Sequence, residues 1–402
     1  MKKNFKRKVL KNGLTIIFEK RNIPVVSMAF AVKSGGINES LGEKGISHFI
    51  EHMLYKGTKN RSAREIAQEI EKNGGELNGF TSEEVTAFYC KLPSKHAGIG
   101  LGVLSDIMKN SLFLEEEMEK ERKVIFEEIK MRKDNPQIYV IDKIQNMLYK
   151  DPFGSDLIGT HKSMNSIDRK KILKRFKELY VPENMILSVV GDYDFEKLVK
   201  FCEKVFEKKR LKNKNYRIVK KNSSKVEKRQ GIDQANLILA FHSPLAGDKK
   251  SFAAEILISL MAGGMSSRLF SEIREKRNLA YSVRGHTNIS KDYSYSLIYV
   301  GTTKEKVREV KDLILKEFER VSKDLGEKEL KEIKDQLIGN YQISMEDSQA
   351  QMVNLLVSEI EGNASKFYDF EKNISKVELK DVKKLASKVR GKNYSFFALV
   401  PK

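Results

Sequence analysis

The apolar positions along the chain change period in a way that lays out its elements. Val9–Leu10 and the apolar run at 14–18 flank Asn12-Gly13, a hairpin-turn dipeptide, and Val25–Val32 is a third apolar run leading to Gly35-Gly36; three opening strands are predicted. Helical spacing follows at once, in the stretch that begins Gly45-Ile46-Ser47-His48. Ser62 with Glu65 three residues later forms a capping-box signature for a helix that stops at Asn73-Gly74-Gly75. Strands are predicted at 77–81 and 85–92, a helix at about 97–110, and a long charged but periodic helix over 115–134 that ends before Asn135-Pro136. A strand at 186–190 with its Gly191-Asp192 turn, and a helix over 195–206, complete the first half.

Between 207 and 230 the residues are mostly lysine, arginine, asparagine and serine, which reads as an interdomain linker. The expected domains are therefore 1–206, the linker 207–230, and 231–402. Beyond 230 the order repeats: a strand at 236–242, a helix at 252–261 ending at Gly263-Gly264, and a strand pair at 281–287 and 293–300. This matches the third strand, the His48 helix and the 77–92 strands, and points to an internal duplication whose second copy has Ile258 and its neighbours where the first has histidines. Helices over 305–325, 327–343 and about 381–389 and a last strand at 394–400 give an α+β fold of two similar domains, each an antiparallel sheet packed with helices.

Composition narrows the class. With 402 residues and 40% hydrophobic content the chain can build two to three cores. Lysine and arginine number 75 against 55 acidic residues, a formal charge of +20. The basic residues are spread over helix faces, without zinc-finger spacing or basic strands interleaved with aromatics, so nucleic acid is not the expected partner; the charge reads first as a solvated lysine-rich surface, with attraction of acidic peptides as a second reading. Cys90 and Cys202 are too few for a disulfide framework. The basic N-terminus is followed by an apolar run too short for a signal-peptide core, and no run could span a membrane, so a cytoplasmic protein is expected.

The chemistry lies in His48-Phe49-Ile50-Glu51-His52. At 3.6 residues per turn the two histidines share one helix face, about 6 Å apart along the axis, where they can grip one metal ion. Glu51 stands beside them, placed to take a proton from water. Six histidines in 402 residues would give such a pair only about 0.07 times by chance. A catalytic zinc needs a third protein ligand, and the 115–134 helix offers Glu121 and Glu128 on the same side as an apolar stripe of Met118, Val124, Ile125 and Met131. Periodicity does not choose between the two. His96, His161, His242 and His286 are isolated and read as core or surface residues.

The run from Gly45 through His48, Glu51 and His52 to Lys56-Gly57-Thr58 resembles the inverted zinc motif H-x-x-E-H of the insulinase/pitrilysin (M16) metallopeptidases, and most of all the bacterial subgroup related to the mitochondrial processing peptidase. The resemblance extends over Glu121-Arg122-Lys123-Val124-Ile125-Phe126-Glu127-Glu128-Ile129, Pro152-Phe153-Gly154 with Gly159-Thr160, Asn184 with Gly191-Asp192, and the run from Arg274 to Tyr281. It implies a third zinc ligand about 76 residues beyond the second histidine, which falls on Glu128, with Glu127 as the neighbouring alternative. It implies that Glu121 orients a ligand histidine, and that Arg274 and Tyr281 serve as donors to the substrate carbonyl and oxyanion. Leu77, Asn78, Gly79 and Phe80 are similar to the family's edge strand, along which a peptide adds; Gly79 stands where alanine is usual.

What the resemblance implies is a zinc metalloendopeptidase acting on short unfolded peptides, its two domains enclosing a chamber, paired as a homodimer. Two rival readings are a protease that matures one precursor and a non-catalytic peptide-binding or assembly subunit. Retention of His48, Glu51, His52 and Glu128 speaks against the latter.

Overall fold

In the computed structural model, residues 4–209, 211–212 and 216–402 are described. Elements follow one another as β1 (Phe5–Val9), β2 (Thr15–Lys20), β3 (Val25–Val32), α1 (Ile46–Leu54), α2 (Ala63–Glu71), β4 (Glu76–Thr81), β5 (Thr86–Pro93), α3 (Ala97–Asn110) and α4 (Glu115–Asp134). Next come α5 (Pro136–Leu148), α6 (His161–Ser166), α7 (Arg169–Leu179), β6 (Met185–Gly191) and α8 (Phe195–Val205). The second half contains β7 (Ser224–Arg229), β8 (Ala235–His242), α9 (Ser251–Ala262), β9 (Ala280–Ile289), β10 (Ser294–Thr302), α10 (Val307–Asp324), α11 (Glu327–Ser344), α12 (Ser348–Ile360), α13 (Phe370–Ser375), α14 (Leu379–Ala386) and β11 (Ser395–Pro401).

The chain forms two compact units. The first unit holds the sheet β1-β2-β6-β3-β5-β4 and the second the sheet β7-β11-β8-β10-β9. Apart from β1, which the first sheet adds at its edge, the two sheets share one topology. β6, β3, β5 and β4 run antiparallel in sequence, as do β11, β8, β10 and β9, and each sheet adds one parallel pair, β2 with β6 and β7 with β11. The duplication is thus visible in strand order. The sheets are antiparallel, as expected, apart from that one pair in each; β2 and β6 are not consecutive strands, since β3, β4, β5 and their helices lie between them in sequence, and so they can run in the same direction.

The stretch 207–230 contains β7, the counterpart of β2. Its polar composition follows from an edge position, where four of six residues are exposed, not from a linker's lack of structure. Arg210 and residues 213–215 of that stretch lie outside the described residues. The units are also discontinuous in sequence, 1–129, 157–217 and 344–368 against 130–156, 218–343 and 369–402. Each half of the chain lends a helix to the other half's sheet. α12 packs on β3 and β6, with Ser188 Oγ donating to the Met352 carbonyl at 2.9 Å, and α5 packs on β8 and β11, with Ser395 Oγ donating to the Met147 carbonyl at 3.0 Å.

Helix α1 is set by what stands at its N-terminus. Gly45 has φ +92°, and a β-carbon there would fall 2.6 Å from the Ile158 carbonyl oxygen, so the position requires glycine. The fully buried Glu39 accepts from the Gly45 and Ser47 amides at 3.0 and 2.8 Å, satisfying two donors that the helix cannot satisfy itself. Its charge is balanced by the buried Lys44, whose Nζ lies 3.9 Å from Glu39 and 4.0 Å from Glu83 and donates to the Gly36 carbonyl at 3.1 Å. Glu39→Ala would leave two amides buried without their acceptor and Lys44 with Glu83, 4.0 Å away, as its remaining buried counter-charge. It is expected to destabilise the protein by about 3–5 kcal/mol, read as a lower urea midpoint with unchanged slope. A midpoint equal to wild type would refute this role.

Candidate metal centre

α1 presents His48 and His52 on one side, and α4 brings Glu128 to them. Nε2 of His48 and Nε2 of His52 are 3.3 Å apart, and Glu128 Oε2 is 3.3 Å from the first and 3.7 Å from the second. Ligand atoms around a tetrahedral zinc, each at about 2.0–2.1 Å from the ion, are about 3.3–3.4 Å from one another. The three side chains therefore fit zinc in donor type and in spacing. Among the described residues they form the one cluster of three such donors. Along α4, Glu128 faces the histidines, Glu127 is exposed, and Glu121 lies one step behind.

Glu121 is buried, and its Oε2 lies 3.0 Å from His52 Nδ1, which fixes the imidazole with Nε2 turned toward Glu128. Lys56, two residues past the end of α1, binds the other Glu121 oxygen at 2.6 Å. Burial pulls the His52 imidazole pKa down, but hydrogen bonds to Glu128 and Glu121 outweigh it and raise it above the usual value. Glu51, the residue before His52, accepts from Thr81 Oγ1 at 2.5 Å. Burial raises its pKa above the ordinary carboxylate range, against the hydrogen bond from Thr81 and the nearness of His52.

The buried face of α4 differs from the expected stripe. Met118, Glu121, Arg122 and Ile125 are inside, whereas Val124 and Met131 are 49% and 59% exposed. The sequence misleads here because two charged residues belong to the inner face. Arg122 is kept there by donating to the carbonyls of Met164 and, at 2.9 Å, Ile167, while its guanidinium lies over the Phe49 ring of α1 at 5.2 Å.

Leu77, Asn78, Gly79 and Phe80 lie in β4, which is an edge of its sheet and pairs only with β5 among the described residues. Gly79 has a local reason. A β-carbon there would stand 2.5 Å from the Tyr55 hydroxyl, 3.0 Å from the Ala87 carbonyl oxygen and 3.4 Å from Glu51 Oε1. Tyr55, just past α1, occupies the space an alanine side chain would need. In the second unit, Arg274 is the penultimate residue of a π-helical turn, Phe270–Glu275, and its guanidinium lies 5.0 Å over the Tyr281 ring. Tyr281 is 78% exposed, so it is not the core tyrosine that a bare helix-to-strand connection would suggest. Among the remaining histidines, His161 stacks on Phe126 and His242 Nε2 lies 3.0 Å from the Lys221 carbonyl oxygen. Sequence reasoning missed Thr81, Lys56, Tyr55 and Glu39. Lys56 and Tyr55 sit within the zinc-motif run, and only their three-dimensional partners give them roles.

No helix among the described residues is long and apolar enough to cross a membrane. The chain matches the family model described as Insulinase (Peptidase family M16) over residues 15–161 and that described as Peptidase M16 inactive domain over 166–337. It is 35% identical to an uncharacterized zinc protease of Rickettsia bellii, over 86% of this chain and 85% of that one, and 33% identical to one of Bacillus subtilis, over 86% of each. Its fold is similar to the crystal structure of a protease from Helicobacter pylori, with a TM-score of 0.90 at 24% identity over 99% of both chains. It is equally similar, at 0.90 and 19% identity, to a structure from Pseudomonas fluorescens described as a peptidase M16 inactive domain, covering 99% of this chain and 98% of that one. With the histidine pair in the stretch matched by the first model, and the second half matched by the other, the chain belongs to the M16 (insulinase) peptidase family.

Proposed function

We propose that this protein is a zinc-dependent metalloendopeptidase that hydrolyses short, unfolded peptides. The observation that carries the proposal is the convergence of His48, His52 and Glu128 at zinc-ligand spacing with Glu51 alongside. The names of the relatives, zinc proteases, agree with it. Zinc held by these three side chains would supply Lewis-acid polarisation of water and of the scissile carbonyl. The chain's own groups do the rest. Glu51, whose raised pKa makes it a stronger base, accepts the proton of the attacking water and delivers one to the leaving amine. Glu121, itself held by Lys56, keeps His52 in a single orientation. Arg274 and Tyr281 donate to the carbonyl and the developing oxyanion; the guanidinium is already stacked on the exposed phenol.

β4 receives the peptide as an added strand. Its unpaired edge supports this, as does the Thr81 hydrogen bond that ties the strand's end to Glu51. Pairing of this kind reads main chain more than side chains, which favours turnover of many peptides over maturation of one precursor. We further propose that the chain acts as a homodimer in the cytoplasm.

Glu51→Gln is expected to keep about one zinc per chain, measured by elemental analysis, while kcat on a panel of unrelated fluorogenic peptides falls by roughly 10²–10⁴-fold. Unchanged turnover would remove Glu51 from the mechanism, and wild-type cleavage of only one precursor sequence would replace general turnover by processing. Glu121→Gln should weaken zinc binding about 10- to 100-fold in competition with a chelator, with no comparable loss of thermal stability in the metal-free protein. Equal affinity in the two proteins would show that His52 needs no such support. Gly79→Ala alone should lower kcat/KM about tenfold, whereas Gly79→Ala combined with Tyr55→Phe should recover most of it. Additive losses would mean that the two positions are not coupled.

A further inference from the structure

The second sheet lacks one strand that the first possesses. In the first, β1 covers β2 from Phe5 opposite Glu19 to Val9 opposite Thr15. In the second, β7 takes the place of β2, parallel to β11, and among the described residues no strand lies outside it. The pairing shows which main-chain groups are left over. Carbonyls of Ser223 and Arg229 accept from Phe396 and Lys402, each at 3.0 Å, so alternate residues from 223 to 229 face β11. Ser224, Val226 and Lys228 therefore direct their N–H and C=O groups outward, away from β11. All three are exposed, and Val226 is a large apolar side chain with 56% of its surface in solvent.

Next to this edge is a groove of about 600 Å³ between β7 and the start of α10, floored by Phe396 and Val400. Five cationic side chains line it against two acidic ones, Glu305 and Asp312. Lys228, Lys304 and Arg308 are within ion-pair distance of no carboxylate among the described residues, and Lys311 Nζ lies 4.7 Å over the Phe396 ring. A second copy paired twofold and antiparallel about Val226–Glu227 would set Lys225 opposite Lys228, and like charges facing across a strand pair repel. The charge selects an acidic partner.

We propose that β7 is a docking edge for an extended acidic segment of a partner polypeptide, which adds as a further strand where β1 lies in the first sheet. Main-chain bonds to Ser224, Val226 and Lys228 hold the segment, alternate apolar residues cover Val226, and its carboxylates meet Lys228, Lys304 and Arg308. The edge is separate from β4 and requires no metal.

The test uses the full chain carrying Glu51→Gln, so that the probe stays whole, and a fluorescent, end-capped peptide of about eight alternating glutamates and valines, followed by anisotropy. Binding is expected at about 50 mM salt and should weaken at about 500 mM, with no binding of the matching lysine–valine peptide. Val226→Pro removes an outward N–H without touching the bonds to β11; it should preserve the thermal transition and weaken binding roughly fivefold to tenfold. Should that variant unfold, Lys304→Glu with Arg308→Glu carries the same expectation from the groove's charge alone. Absence of binding at low salt, binding insensitive to the variant that folds, or displacement of the peptide by a uridine oligomer would each overturn the proposal.

Discussion

Two imidazoles, His48 and His52, share a largely buried corner with three carboxylates, Glu51, Glu121 and Glu128, and a single ammonium group, Lys56 at Glu121, partly offsets them. Such a corner carries excess negative charge, which is unfavourable away from bulk water unless a cation or protons balance it. The raised His52 pKa expresses that demand in proton terms. A dication held between His48, His52 and Glu128 would meet the same demand without protonating the ligands. The surrounding architecture keeps the groups from relaxing apart. Glu39 and Gly45 fix where α1 begins, and Arg122 clamps α4 against Phe49 of α1 while satisfying itself on nearby carbonyls.

Much of this was legible in the order of residues, for identifiable reasons. The spacing of His48 and His52 survives folding because a helix has a fixed period, and the capping box at Ser62 and the breaks at Gly74 and Pro136 act through local geometry. α4 was harder. Its inner face includes Glu121 and Arg122, whose burial depends on partners that come from Lys56 and from the region of α6, far away in sequence. Periodicity alone left Glu121 and Glu128 equivalent, and only the meeting of two helices shows that Glu128 lies at Nε2 of both histidines and Glu121 at Nδ1 of His52. Gly79 shows the same limit. The glycine is explained by the Tyr55 hydroxyl, 24 positions earlier, and nothing in the strand's own pattern announces it.

The domain boundary was concealed by a different effect. A duplicated chain would ordinarily divide at its midpoint, but α5 and α12 are exchanged, each packing on the sheet that the other half of the chain builds. Both helices occupy comparable places, against the strand pair β8–β11 in one unit and β3–β6 in the other, so the exchange preserves the symmetry while breaking the sequence continuity of each unit. A polar stretch that resembles a linker can then contain β7, because an edge strand with one neighbour shows neither alternation nor a continuous apolar run.

Duplication also explains how the two copies could diverge. In the first unit Gly79 of β4 is opposite Phe88, and its missing side chain makes room for Tyr55 beside Glu51. In the second, Gly285 of β9 is opposite Ile298, and the equivalent space is filled by Ile258 of α9, whose Cγ2 would be 2.7 Å from a β-carbon at that glycine. The same close approach of a helix to a strand is thus retained in both. One copy uses it to hold a carboxylate and a hydroxyl next to an edge strand, and the other buries an isoleucine. Without the histidine pair, the second copy keeps the backbone solution and can vary what it exposes: Tyr281 in β9 at one end of its sheet order, with Arg274 beside it, and the bare, basic edge of β7 at the other.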